Sequence, residues 1–68
     1  MIPNLTKREE DILEMVITGM RTKDIAERLD LKPQTVSNYT YNLMDKYGVS
    51  NRTELSYTIM SKRGNFDE

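Results

Sequence analysis

Apolar residues recur along this chain at helical spacing in four separate runs. In the first, Ile12, Leu13, Val16, Ile17 and Met20 form one stripe, the mark of a helix buried along one side. Thr6-Lys7-Arg8-Glu9 in front of it has the spacing of a capping box, in which the Thr6 hydroxyl takes the Glu9 N–H and the Glu9 carboxylate reaches back. Glu9, Glu10 and Asp11 suit the positive end of that helix, and Arg8 and Glu9 are read as structural, a cap and an ion pair on helix one. Glu10 stands where a hydrophobic staple would need an apolar residue, so Leu5 must pack elsewhere. Met15 falls at the edge of the stripe, and Gly19 closes the helix.

The second run is short: Ile25, Ala26 and Leu29 face inward behind Thr22, the expected N-cap. A helix of about two turns does not persist alone. Asp30-Leu31-Lys32 is a tight connection with Leu31 tucked inward. The third run begins at Pro33, whose fixed φ and missing N–H are harmless at a first helical position, and ends at Gly48, a left-handed cap. Over 33–47, Val36, Leu43, Met44 and Tyr47 make an inward line with Tyr39 and Thr40 beside it. Gln34, Ser37, Asn38, Tyr41, Asn42 and Asp45 occupy the other face. Val49 is an apolar plug, and Ser50-Asn51 caps a fourth helix, in which Asn51 to Glu54 repeats the capping-box spacing in a weaker form. Leu55 and Ile59 point inward, Tyr57 and Met60 lie off their line, Lys62 and Arg63 suit the helix end, Gly64 stops it, and 65–68 is a frayed tail. No strand-like alternation, repeat or low-complexity stretch appears. The pattern predicts an all-α fold: a four-helix bundle, one domain over 1–68, in which a short helix, a turn and a longer helix make a helix-turn-helix.

Size and composition narrow the function. A chain of 68 residues buries about 60% of its unfolded surface, so it depends on compact helix packing or on association. With no cysteine and no histidine there is no disulfide framework, and zinc fingers and most acid–base dyads are removed. No cofactor or metal is expected. The remaining carboxylates and hydroxyls form no recognisable catalytic set, which makes an enzyme the least favoured class. No apolar run approaches the ~20 residues a bilayer span needs, and no signal-peptide pattern opens the chain, so the expected location is the cytoplasm with no membrane partner.

Charge alone argues against nucleic acid: the net value is −1 and the pI about 5.4. Its distribution answers part of that objection. Residues 7–30 carry five basic and seven acidic groups, whereas 31–52 carry Lys32, Lys46 and Arg52 against Asp45 alone. The third helix and its flanks are therefore the positive part of a faintly negative chain.

Several blocks in order and spacing then resemble one family. Leu5-Thr6-x-Arg8-Glu9, Thr22-x-x-Ile25-Ala26 with Leu29, Thr35-Val36, and Gly48-Val49 followed by Asn51-Arg52-Thr53-Glu54-Leu55 resemble the LuxR/GerE-type helix-turn-helix domain of bacterial transcription regulators, from residue 5 to about 64. The resemblance implies a DNA-binding domain acting as a homodimer on short, roughly two-fold sites, with helix three in the major groove and helix four forming much of the dimer contact. RNA polymerase is a further possible partner.

Carried over by position, base contacts fall on Ser37, Asn38 and Tyr41, and phosphate contacts on Thr22, Lys23, Gln34, Thr35, Lys46 and Arg52. Periodicity alone puts Gln34, Ser37, Asn38 and Tyr41 on the exposed face. Tyr57 and Met60 are candidates for the dimer surface. Departures from the family pattern are specific. Lys or Arg is usual at the positions of Ser37 and often Tyr41, His or a similar residue at Tyr39, and a capping Ser or Thr at Lys32. The face over Gln34 to Tyr41 has no positive charge. Three consequences stay open: an unusual site read through Asn38 and Tyr41, weak DNA binding, or diversion to protein contact as an antagonist or co-regulator. A module like region four of sigma factors is another alternative, though it usually carries a more basic reading helix. The chain reads equally as a stand-alone regulator or as an excised C-terminal output domain.

Overall fold

The computed structural model describes residues 4–63. Gly64 and the tail 65–68 lie outside the described residues. Four helices follow one another: α1 (Lys7–Ile17), α2 (Thr22–Leu29), α3 (Pro33–Tyr47) and α4 (Arg52–Lys62), with no strand among the described residues. α3 is the hub and packs on each of the others, while α1 also meets α2 and α4. α2 and α4 share no helix–helix packing of their own and are linked at their N-termini by a hydrogen bond from Arg52 to Thr22.

Local chemistry accounts for the helix ends. The α1 capping box forms as its spacing predicts, with Glu9 N–H donating to Thr6 Oγ1 at 3.1 Å and Thr6 N–H to Glu9 Oε1 at 2.9 Å. α1, α2 and α3 then end in the same way. In each, a residue with positive φ (Gly19, Asp30, Gly48) donates its N–H back to Val16, Glu27 or Asp45, and the next residue donates to Met15, Ala26 or Met44. These paired bonds satisfy the last carbonyls of each helix, and an apolar residue after the left-handed position anchors the turn. Met20, Leu31 and Val49 are those residues, and all three pack on the core. Glycine bears a left-handed conformation without steric cost. Asp30 is the non-glycine instance, of a type that tolerates it.

Ile12, Ile25, Val36, Leu43 and Leu55 are fully enclosed, one or two from each helix. Burying a side chain of this size contributes about 1.5–3 kcal/mol. Leu5, Met15, Ile17, Met20, Tyr39 and Tyr47 pack partly buried around them. Burial pushes the Tyr47 hydroxyl above its ordinary pKa. At the outer edge Glu14 pairs with Arg63, joining α1 to the end of α4.

Two local expectations need correction. Thr22 does not cap α2: Arg21 is the N-cap, without a side-chain hydrogen bond, and Thr22 is already helical. The Thr22 hydroxyl accepts from Arg52 Nη1 at 3.3 Å. At α4, Asn51 does accept from Glu54 N–H at 2.8 Å, but the Glu54 carboxylate reaches one residue further back, to Ser50 N–H.

The ion pair of Glu9 is likewise not within helix one, where Lys7 pairs with Asp11 at 3.0 Å. Both Glu9 oxygens instead accept from Lys46 Nζ, at 2.9 and 2.8 Å, tying the start of α1 to the end of α3. The Lys46 ammonium and then the Thr6 N–H hold the Glu9 carboxyl below its ordinary pKa. A depressed carboxyl pKa stabilises the fold at pH values above the unfolded value, about 4.3, and that stability is lost as pH falls through the folded value. Glu9→Gln keeps an acceptor for the capping box but removes the charge. In thermal melts the variant should be less stable than wild type at neutral pH, with the gap closing below about pH 4. A gap that stays constant across the titration would contradict this.

Candidate nucleic-acid interface

The exposed face of α3 is set by the inward line on its other side. Val36, Thr40, Leu43 and Met44 are buried, and the Thr40 hydroxyl is satisfied by the Val36 carbonyl at 3.0 Å, so the intervening positions must look outward. Gln34, Asn38, Tyr41, Asn42 and Asp45 are exposed, Ser37 and Thr35 half-buried. Tyr41 is the most prominent apolar group there, at 66% exposure. Gln34 Nε2 donates to Asn38 Oδ1 at 3.1 Å, one helical turn apart, leaving the Asn38 amide N–H groups directed away from that bond.

α2, α3 and α4 converge on an open cleft of about 290 Å³ in which Thr22, Ser37, Tyr41 and Arg52 meet, with Met44 and Thr40 behind them. Four sequence-predicted site residues thus share one concavity. α2 and α3 both begin without a side-chain cap, at Arg21 and Lys32, whereas α1 and α4 are capped by Thr6 and Asn51. The helix-turn-helix thereby presents first-turn amides free of side-chain caps. Lys23, in the first turn of α2, is exposed.

Two predicted phosphate contacts are already engaged in the fold. Lys46 stands outside the cleft with its ammonium on Glu9. Arg52 is half-buried and donates to Thr22 Oγ1 and, at 2.7 Å, to the Met20 carbonyl. Sequence reading missed all three partners, Glu9, Thr22 and Met20, which lie 30 to 37 residues away with no local signal. Tyr57 and Met60 lie exposed on α4, where Tyr57 borders a groove with Val49 and Thr53. A concavity of about 570 Å³ between α1 and α4 contains none of the predicted site residues. Among the described residues, no three acidic, His or Cys side chains converge to hold a metal ion, and no helix is long and apolar enough to cross a membrane.

A short helix and a longer one joined by a tight turn, with the longer helix presenting a polar face braced by two scaffold helices, define a helix-turn-helix domain. Residues 3–59 match the family described as bacterial regulatory proteins, luxR family. The chain belongs to that family, and is a DNA-binding domain of transcription regulators rather than an enzyme. It is 50% identical over 52 residues to the transcriptional regulatory protein UhpA of Escherichia coli (strain K12), a match covering 76% of this chain and 26% of UhpA. It is 46% identical over 50 residues to the transcriptional regulatory protein DesR of Bacillus subtilis (strain 168), covering 74% and 25%. The spore germination protein GerE of the same Bacillus strain is 40% identical over 52 residues, covering 76% of this chain and 70% of GerE. The chain therefore spans about a quarter of UhpA and DesR and most of GerE.

Proposed function

We propose that this domain reads duplex DNA as a homodimer in the cytoplasm, with α3 in the major groove. Base edges are met by Ser37, Asn38 and Tyr41. Asn38 offers an amide suited to the N6/N7 edge of adenine, and Tyr41 an aromatic face for a thymine methyl or a sugar. Phosphates are met by Thr22 and Lys23 from the first turn of α2 and by Gln34 and Thr35 from that of α3, where uncapped amides and the helix dipole favour an anion. Lys46 and Arg52 flank α3, each bonded within the fold. Tyr57 and Met60 on α4 form the contact with the second copy, and RNA polymerase is the partner through which a bound dimer acts on transcription.

The cleft in which Thr22, Ser37, Tyr41 and Arg52 meet carries this reading, because it joins residues from all three DNA-side elements at one edge of α3. With ~2–4 phosphates neutralised per dimer by Lys23 and Lys32, log Kd against log salt should have a slope of magnitude about 2 to 4. Titration of a fluorescent duplex at several salt concentrations measures it. A slope near zero, with the protein folded, would contradict the reading and favour a helix-turn-helix turned to protein contact. The absence of positive charge over Gln34 to Tyr41 is the observation behind that second reading.

A further inference from the structure

Among the described residues, Arg52 is the one cation that ties two elements of the DNA-side cleft together. It opens α4, yet both terminal nitrogens of its guanidinium turn inward, Nη2 to the Met20 carbonyl at 2.7 Å and Nη1 to the Thr22 hydroxyl at 3.3 Å. The first bond holds the turn between α1 and α2. Met20 is also fixed from its other side, where its N–H donates to Met15. The second bond acts on Thr22 itself. A hydroxyl has one proton and two lone pairs. Once a lone pair of Thr22 Oγ1 accepts from the guanidinium, the proton must point away from Arg52. Accepting from a cation also strengthens a hydroxyl as a donor. Thr22 is the first residue of α2, at an end that no side chain caps, and it shares the cleft with Ser37 and Tyr41.

We propose that Arg52 is a positioning residue for DNA binding: it acts on a backbone phosphate through the Thr22 hydroxyl instead of meeting the phosphate itself. This rests on the DNA-reading function proposed above. The forked guanidinium is what the role needs, since it serves two acceptors in one plane. A lysine keeps the charge on a single nitrogen and lacks the planar, two-nitrogen fork that here spans two acceptors on different residues. Arg52 thereby couples the scaffold helix α4 to the phosphate-binding end of α2, two elements with no packing of their own.

The test measures affinity for a duplex enriched from a random pool, against salt, with Thr22→Val, Arg52→Lys, their combination, and Arg52→Gln. Thr22→Val should weaken binding of the dimer more than tenfold, since one hydrogen bond to a charged acceptor is lost in each subunit. Arg52→Lys should weaken it by a similar factor despite its charge, and the double variant should be no weaker than Arg52→Lys. Arg52→Gln should leave the salt slope unchanged, whereas a direct phosphate contact would lower its magnitude by about 0.9 per subunit. Wild-type affinity in either Thr22→Val or Arg52→Lys, losses that multiply in the double variant, or a reduced slope in Arg52→Gln would overturn the proposal. Thr22→Val leaves the bond from Arg52 to Met20 in place, so wild-type affinity in this variant overturns the proposal even where an Arg52 variant melts early. No binding by the wild-type protein would instead remove the DNA-reading function, and this inference with it.

Discussion

Leu43→Ala is expected to remove about half of the domain's stability. Leu43 is fully enclosed on α3, the helix that packs on all three others. Truncating a buried leucine costs about 2–5 kcal/mol, from lost transfer energy and the cavity left behind. A chain of 68 residues has roughly 3–10 kcal/mol of stability in total, at 0.05–0.15 kcal/mol per residue. No second core exists among the described helices to take over. The check is a chemical denaturation curve beside wild type: the midpoint should fall by about half, and DNA binding should fall with the folded fraction. A loss below about 1 kcal/mol would mean that α3 is not the hub. Tyr41→Ala on the same helix is the control, since an exposed side chain should change stability little.

Much of this architecture was legible in the sequence because it is written locally. The capping box at Thr6 and Glu9, Pro33 at the start of α3, the left-handed turn at Gly48 and the inward lines of α1 and α3 all operate within four residues or one helical period. Their outcome agrees with the structure. The polar face of α3 follows from the same periodicity. What was not legible has a common cause. Thr22 has the chemistry of an N-cap, but its hydroxyl is held by Arg52, 30 residues on. Lys46 is paired with Glu9, 37 residues away, a partner that nothing near it in sequence names. Side chains that can serve either a solvent-facing role or a distant partner are decided by tertiary packing, which no window along the chain contains. Asp30 is a different case: its positive φ closes a local turn onto Ala26 and Glu27, but aspartate does not mark such a turn as glycine does.

The electrostatic character of the interface follows from the same engagements. Of the three basic residues in 31–52, Lys46 is neutralised by Glu9, and Arg52 keeps its charge but turns its guanidinium inward to neutral acceptors. A domain built in this way relies on hydrogen bonding by Gln34, Ser37, Asn38 and Thr35 more than on a dense cationic surface. Specificity then rests on few base contacts, and removing one should be conspicuous. Asn38 is the residue where that loss should be greatest. It is exposed near the middle of the reading face, its carbonyl oxygen is oriented by Gln34, and a paired amide–adenine contact is worth ~1–3 kcal/mol of discrimination at one base pair.

The measurement that tests the central claim most directly is selection of bound sequences from a random duplex pool at low salt, run in parallel with wild type and Asn38→Ala. Wild type should enrich a short two-fold motif, the signature of two copies reading adjacent half-sites. Asn38→Ala should enrich the same motif with one position per half-site relaxed. No enrichment by a folded wild-type protein, or an identical motif from both proteins, would contradict DNA reading by α3 through Asn38.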